Sequence, residues 1–278
     1  MKIVFFDEFK LGVLKGDSVV DVSRVVQDIP HLGPQDIIRG VIERWGEFRP
    51  RLEAAAAQER GVPLDRVRIR PPLPKPTNIV CMAVNYMEDG TRSEPAPINA
   101  FLKSPSAIIG DGDTMVLPDV PATIFEGEAE MAVIIGKRAS HVSAANAMSY
   151  VFGYTNFIDG SARGLLPPGN TFYQMKSRDT FAPLGPWLVT ADEIADPNNL
   201  DLSIRVNGEV KQDSNTRYLV YNVERLIEFG SAMYTLHPGD VIMTGTPAGV
   251  SPVKPGDTLH AYVQGVGEGD IRIAPAYS

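Results

Sequence analysis

The sequence predicts an α+β fold in which a small N-terminal α/β domain, residues 1–72, precedes a larger strand-rich domain, residues 73–278. Three observations point there. The chain carries 25 glycines and 23 prolines spread along its length, the mark of many turns between short strands. Strand-like apolar runs recur from residue 78 onward with few helical stretches between them, which disfavours a doubly wound sheet. Helical periodicity dominates only ahead of a proline-rich segment at Pro71-Pro-Leu-Pro-Lys-Pro76.

In chain order, residues 1–22 alternate strand-like runs around a Lys15-Gly-Asp17 turn and predict a hairpin or short meander. Ile37, Ile38, Val41, Ile42 and Trp45 then repeat with the helical period and form one apolar face. A second helix is expected over residues 50–60, with Pro50 early and Gly61 past the end. The prolines of 71–76 lack backbone donors, so the domain boundary falls there. The larger domain opens with a buried strand at 78–84, followed by a polar loop at 85–99. Further strands are expected near 107–109, 129–135, 151–158, 187–189, 202–206, 241–244, 259–263 and 271–273, and helices near 143–149 and 220–234. Asn207-Gly208 between alternating runs is a hairpin signal. Pro238-Gly239 and Pro255-Gly256 suit type II turns.

Composition removes several functions. The net charge of −8 argues against nucleic acid or an anionic membrane as partner. A single cysteine, Cys81, excludes an intrachain disulfide and a cysteine-based zinc site, and four histidines leave little for a histidine-rich one. The strongest apolar run, residues 131–135, is far short of the roughly 18 residues of a spanning helix, and the N-terminal run stops at Asp7. The cytoplasm is the default compartment.

The segment Glu126-Gly-Glu-Ala-Glu130 carries the strongest chemical signal. Residues two apart on a strand share a face, so Glu126, Glu128 and Glu130 point one way. A divalent cation relieves the repulsion of such a face by taking oxygen ligands. A solvent-facing acidic strand has the same spacing. Asp159, expected at the end of the next apolar strand, is placed either to complete a metal site or to cap a turn. Lys176 suits stabilisation of a developing enolate, or a salt bridge to Asp179. The loop Thr244-Gly-Thr-Pro-Ala-Gly249 suits a bound carboxylate through its N–H groups and the Thr246 hydroxyl, or a simple tight turn.

In this order the motifs resemble the fumarylacetoacetate hydrolase family over roughly residues 78–265. They run through Asn85-Tyr86, Phe101-Leu-Lys-Ser-Pro105, Glu128-Ala-Glu130, Asp159 with Ser161-Ala-Arg163, Lys176-Ser-Arg-Asp179, Asn207-Gly-Glu209 with Gln212, and the 244–250 loop. The resemblance implies a mixed β-roll, commonly a homodimer, that binds Mg²⁺ or Mn²⁺ through Glu128, Glu130 and Asp159. It leaves Glu126 outside the ligand set. It implies a catalytic Lys176 and substrate contacts from Tyr86, Arg163, Gln174, Gly245 and Thr246. The implied substrates are small 2-oxo or 1,3-dioxo carboxylates that react through an enolate, nominally by hydrolytic C–C cleavage.

Two departures stand out. Family hydrolases carry a His, and a Glu three residues later, after the Asn-Tyr pair; here Asp89 and Arg92 take those places. An ordinary Asp, pKa about 3.9, is a weaker base than His, about 6.5. Glu88, Asp89 or Glu94 is left to act in their stead, and decarboxylase, tautomerase or lyase chemistry gains ground, since none of these activates water. A non-catalytic metal and 2-oxo acid binder is the remaining class. The second departure is the apolar, proline-stiffened stretch 164–170 ahead of the lysine.

Other residues carry no function on this reading. His237 belongs to a turn and His141 to a strand exit, Arg66, Arg68 and Arg70 to a solvated or interdomain face, Asp111 and Asp113 to a turn, and Cys81 to the core.

Overall fold

The computed structural model describes residues 1–88, 93–165, 167 and 171–276. A 12-stranded mixed sheet is its backbone. The N-terminal strands Lys2–Phe6, Lys10–Lys15 and Ser18–Asp21 form the expected antiparallel meander. They do not stand apart, because Lys2 and Ile3 pair with Val189 and Leu188. The sheet continues through Leu188–Thr190, Val151–Arg163, Ile124–Ile135, Val241–Met243, Ile79–Met82 and Ala100–Lys103. Pairing of Val241–Met243 with Ile79–Met82 is parallel; the other pairs along this path are antiparallel. A five-stranded sheet packs on it, running Glu209–Asn215, Asp201–Val206, Thr258–Val263, Gly267–Pro275 and Thr114–Leu117.

Several turns follow from local chemistry. Asn207 and Gly208 both take positive φ, +53° and +82°, and close the hairpin between Asp201–Val206 and Glu209–Asn215. Gly239 and Gly256 stand at φ +85° and +93°, the left-handed position a type II turn demands.

The helices differ from expectation at their ends. Pro34–Glu43 buries Ile38, Val41 and Ile42. The next helix runs Trp45–Gln58 instead of 50–60, so Pro50 lies inside it. Phe48, Leu52 and Ala55 are buried along one face, and that burial outweighs the lost hydrogen bond at the proline. The later helix, Val223–Met233, is capped by the Asn222 side chain, which accepts the Arg225 N–H. Among the described residues no helix is long and apolar enough to cross a membrane.

The element that matters most is longer than the sequence suggested. Ile124–Ile135 and Val151–Arg163 pair along almost their whole length. Asp159 is therefore not at a strand end. It lies within the strand, four residues before Arg163, because pairing with the partner strand carries the chain past it.

Candidate metal centre

The hairpin register assembles the acids. Glu128 lies directly opposite Asp159, and Glu130 opposite Phe157. Glu128 and Glu130 share a face by the strand's two-residue period, and Asp159 joins that face across the pair. One carboxylate oxygen from each of Glu128, Glu130 and Asp159 lies within 4.8 Å of the other two, and the three residues are 4%, 2% and 1% exposed. A solvent-facing acidic strand is therefore excluded. Glu126 sits at the rim, where its carboxylate accepts the Arg163 Nε–H at 2.8 Å.

Two lysines meet Asp159. Lys176, on the short helix Phe172–Lys176, donates to Asp159 Oδ2 at 2.5 Å and to Glu128 Oε2 at 2.8 Å. The alternative pairing with Asp179 is not what forms. Lys103, 2% exposed, donates to Asp159 Oδ1 and to the Gly160 carbonyl, the latter at 3.0 Å. Arg163 Nη2 reaches Glu128 Oε1 at 2.5 Å. Glu130 has no ion-pair partner among the described residues; it accepts the Gly245 N–H at 2.8 Å.

These surroundings split the three acids. Burial, then the charges of Asp159 and Glu128, push the Glu130 carboxyl well above the ordinary range. Burial and Asp159 raise Glu128 as well, against the pull of Lys176. Burial also opposes ionisation of Asp159, but Lys103 and Lys176 outweigh it and hold its carboxyl low. Burial likewise works against the Lys176 ammonium, and Asp159 and Glu128 more than offset it, so Lys176 stays charged.

A cavity of about 350 Å³ opens beside the acids. Glu128, Arg163, Lys176 and Thr246 line its polar side, and Met82, Val84, Phe101 and Phe172 its apolar side. Phe101 and Phe172 stack at 4.4 Å and join the lysine-bearing helix to the strand Ala100–Lys103. Tyr86 also lines the cavity; it is buried, and its hydroxyl has no hydrogen-bond partner among the described residues. Burial, with Glu130 and Glu88 nearby, raises the Tyr86 phenol, so it keeps its proton.

The remaining predicted residues are scattered around this centre. Thr246 Oγ donates to the Ala129 carbonyl at 3.0 Å, between the two glutamates. Gly245 stands at φ +93° with Asn85 close beneath it, which brings its N–H onto Glu130. Glu88 lines the cavity and accepts the Ala248 N–H at 2.8 Å and the Ser214 hydroxyl. Gln174 is exposed, accepts the Thr171 hydroxyl at 2.7 Å, and does not line the cavity. Asp89 and Arg92, and most of the stretch 166–170, lie outside the described residues. Cys81 is a free, buried thiol in the core.

Lys103 and Gln212 had no role in the sequence reading. Each stood inside a recognised motif, yet nothing local says that Lys103 turns inward to Asp159 or that Gln212 reaches Thr246, 34 residues away.

The donor set fits a hard divalent ion: three buried carboxylates, one of them without a cationic partner among the described residues. The family model described as fumarylacetoacetate (FAA) hydrolase C-terminal matches residues 78–274. The chain belongs to the fumarylacetoacetate hydrolase family. It is 37% identical to the maleylpyruvate hydrolase of Aquipseudomonas alcaligenes, over 98% of this chain and 99% of that protein. It is 39% identical to the mitochondrial oxaloacetate tautomerase Fahd2a of Rattus norvegicus, over 91% of this chain and 82% of the relative. Among solved structures it resembles the maleylpyruvate hydrolase from Sphingobium sp. SYK-6 in complex with manganese(II) ion and pyruvate. The TM-score is 0.90 at 35% identity, covering 100% of both chains. Its fold is thus that of the family, as the motifs implied.

Proposed function

We propose that this family member is a Mg²⁺- or Mn²⁺-dependent enzyme that cleaves or rearranges a small 2-oxo or 1,3-dioxo carboxylate through an enolate. The observation that carries this is the buried trio Glu128, Glu130 and Asp159 with Lys176 on it, at the wall of the cavity. When bound there, the ion supplies Lewis-acid polarisation of the substrate's oxygens. The chain's own groups do the rest. Lys176 presents a permanent ammonium where negative charge develops on the substrate. The Tyr86 hydroxyl, buried without a partner among the described residues, donates a hydrogen bond to a substrate oxygen. Thr246 and Arg163 orient the substrate carboxylate, Gly245 supports them by holding Glu130 through its N–H, and the apolar side at Met82, Phe101 and Phe172 excludes water. Proton or water handling falls to the segment 85–94, with Glu88 at the cavity wall and Asp89 beside it in sequence.

Hydrolytic C–C cleavage is the nominal reaction, supported by the maleylpyruvate hydrolases. Tautomerisation is the second reading. It is favoured by the absence of any histidine between His31 and His141, and by the oxaloacetate tautomerase relative. We further propose a cytoplasmic homodimer without nucleic-acid or membrane partners, which the net charge of −8, the single buried thiol and the family's common dimeric state support. Residues 1–72 are assigned as an accessory part and 73–278 as the catalytic part, in keeping with the start of the family match at residue 78.

The test is a panel of maleylpyruvate, other acylpyruvates and oxaloacetate with Mg²⁺, Mn²⁺ or EDTA, alongside Glu128→Ala. Two acid fragments mark the hydrolase, CO₂ a decarboxylase, an isomer the tautomerase. Binding of Mn²⁺ and pyruvate with no product from any member marks a binder. Turnover untouched by both EDTA and Glu128→Ala would reject the metal-dependent reading.

A further inference from the structure

The strand Glu209–Asn215 lies at the edge of the five-stranded sheet, yet it reaches into the metal centre. Its pairing with Asp201–Val206 is irregular. Ile204 faces Gln212 while Arg205 faces Val210, so Lys211 is an extra, bulged residue. A bulge re-aims the side chains beside it. Here it sits next to Gln212, which is 1% exposed and spans three groups around the site. Gln212 Oε1 accepts the Ala129 N–H at 2.9 Å, and Nε2 donates to Thr246 Oγ at 2.9 Å and to the Pro247 carbonyl at 2.7 Å.

The amide can point only one way. A peptide N–H only donates, so Ala129 requires the amide oxygen. A peptide carbonyl only accepts, so Pro247 requires the amide nitrogen. The nitrogen then also donates to Thr246 Oγ, and the threonine's own proton must go elsewhere. It goes to the Ala129 carbonyl at 3.0 Å, and a carboxylate in the cavity that Thr246 lines is the stronger acceptor that would draw it away.

We propose that Gln212 is a positioning residue that fixes the Thr246 hydroxyl as a hydrogen-bond donor to the substrate's carboxylate. The inference rests on the substrate class proposed above. It adds that discrimination for a negatively charged oxygen at this point is set from the edge strand. The close seat of the 245–249 loop on that strand agrees: a side chain at Gly249 would stand 2.2 Å from the Lys211 carbonyl.

The probes are Mn²⁺ and pyruvate, followed by calorimetry on the full chain. Gln212→Glu keeps the shape but replaces the donating nitrogen with an acceptor, which claims the threonine's proton. Pyruvate affinity at saturating Mn²⁺ should fall about tenfold or more, the scale of one hydrogen bond to a charged group, while Mn²⁺ affinity is retained. Thr246→Val should weaken pyruvate to the same degree, Thr246→Ser should bind as the unaltered protein does, and adding Gln212→Glu to Thr246→Val should cost nothing more. Pyruvate affinity within twofold of the unaltered protein in Gln212→Glu would overturn the role of Gln212 alone. Joint loss of Mn²⁺ and pyruvate would also overturn it, since that is what a merely structural residue does. Should Gln212→Glu not fold, the valine and serine variants decide: equal pyruvate binding by Thr246→Val and the unaltered protein overturns the proposal. Failure of the unaltered protein to bind pyruvate with Mn²⁺ would overturn the substrate class and this role together.

Discussion

Glu130→Gln separates stability from metal binding in opposite directions. Glu130 is 2% exposed and brings one oxygen within 4.8 Å of an oxygen of Glu128 and one of Asp159. Its carboxylate accepts the Gly245 N–H, and among the described residues no lysine or arginine pairs with it. The amide that replaces it has the same shape. Its oxygen keeps the Gly245 bond, and its nitrogen becomes a donor facing two acids. In EDTA at alkaline pH the substitution removes the cost of a buried acid that burial and its two acidic neighbours disfavour ionising, a stabilisation of about 1–3 kcal/mol. At roughly 2–4 °C per kcal/mol for a chain of this class, the melting temperature should rise by about 2–12 °C. With Mn²⁺ present the order reverses. Loss of one of three carboxylate ligands should weaken Mn²⁺ by about 100-fold or more, and the ligand-induced gain in melting temperature should vanish with it. Thermal melts with EDTA and with Mn²⁺, plus calorimetric titration of Mn²⁺, read both effects. A variant that is destabilised in EDTA yet binds Mn²⁺ as before would refute the placement of an unpaired, metal-directed charge at Glu130.

Three further outcomes follow from the same geometry. The Glu130 carboxyl is raised above its ordinary 4.5, so the native state holds a proton that the unfolded chain has lost. The stability this lends is complete below about pH 4.5 and is lost as pH rises through the raised value. Asp159 is lowered from 3.8 and Lys176 raised from 10.5, so both contributions are already complete across that window. Denaturation midpoints in EDTA should therefore decline as pH rises from about 5, and the gap between Mn²⁺ and EDTA samples should widen; a flat or rising profile in EDTA contradicts this. Lys176→Met should lower kcat by about 10²–10³ while Mn²⁺ still binds, because it removes the ammonium at the reacting oxygen and none of the three acids; steady-state kinetics with parallel Mn²⁺ titration check it. Gly249→Ala places a methyl 2.2 Å from the Lys211 carbonyl at φ +92°. It should cost about 2–4 kcal/mol and raise KM by displacing the loop that carries Thr246, which melts and kinetics together will show.

The glutamate ladder was legible because it is local. A two-residue period puts Glu128 and Glu130 on one face in any strand that contains them, whatever the rest of the chain does. The turns at Asn207-Gly208, Pro238-Gly239 and Pro255-Gly256 are local in the same sense, since each depends on the backbone freedom of one or two residues. The ordered motifs then identified the family and its mixed sheet. What local pattern does not encode is which residue lies across from which. Asp159 could be a ligand or a turn cap until the hairpin register set it opposite Glu128. Lys103, 56 residues from Asp159, and Gln212, 34 residues from Thr246, reach their partners only after separate strands have paired and two sheets have packed. Pro50 opened a helix by propensity and lies within one in the fold, because buried Phe48 and Leu52 supply more free energy than one missing hydrogen bond removes. The identities of the charged and polar groups are thus written in the chain; their ionisation and pairing arise from burial and long-range register, which short-range spacing does not carry.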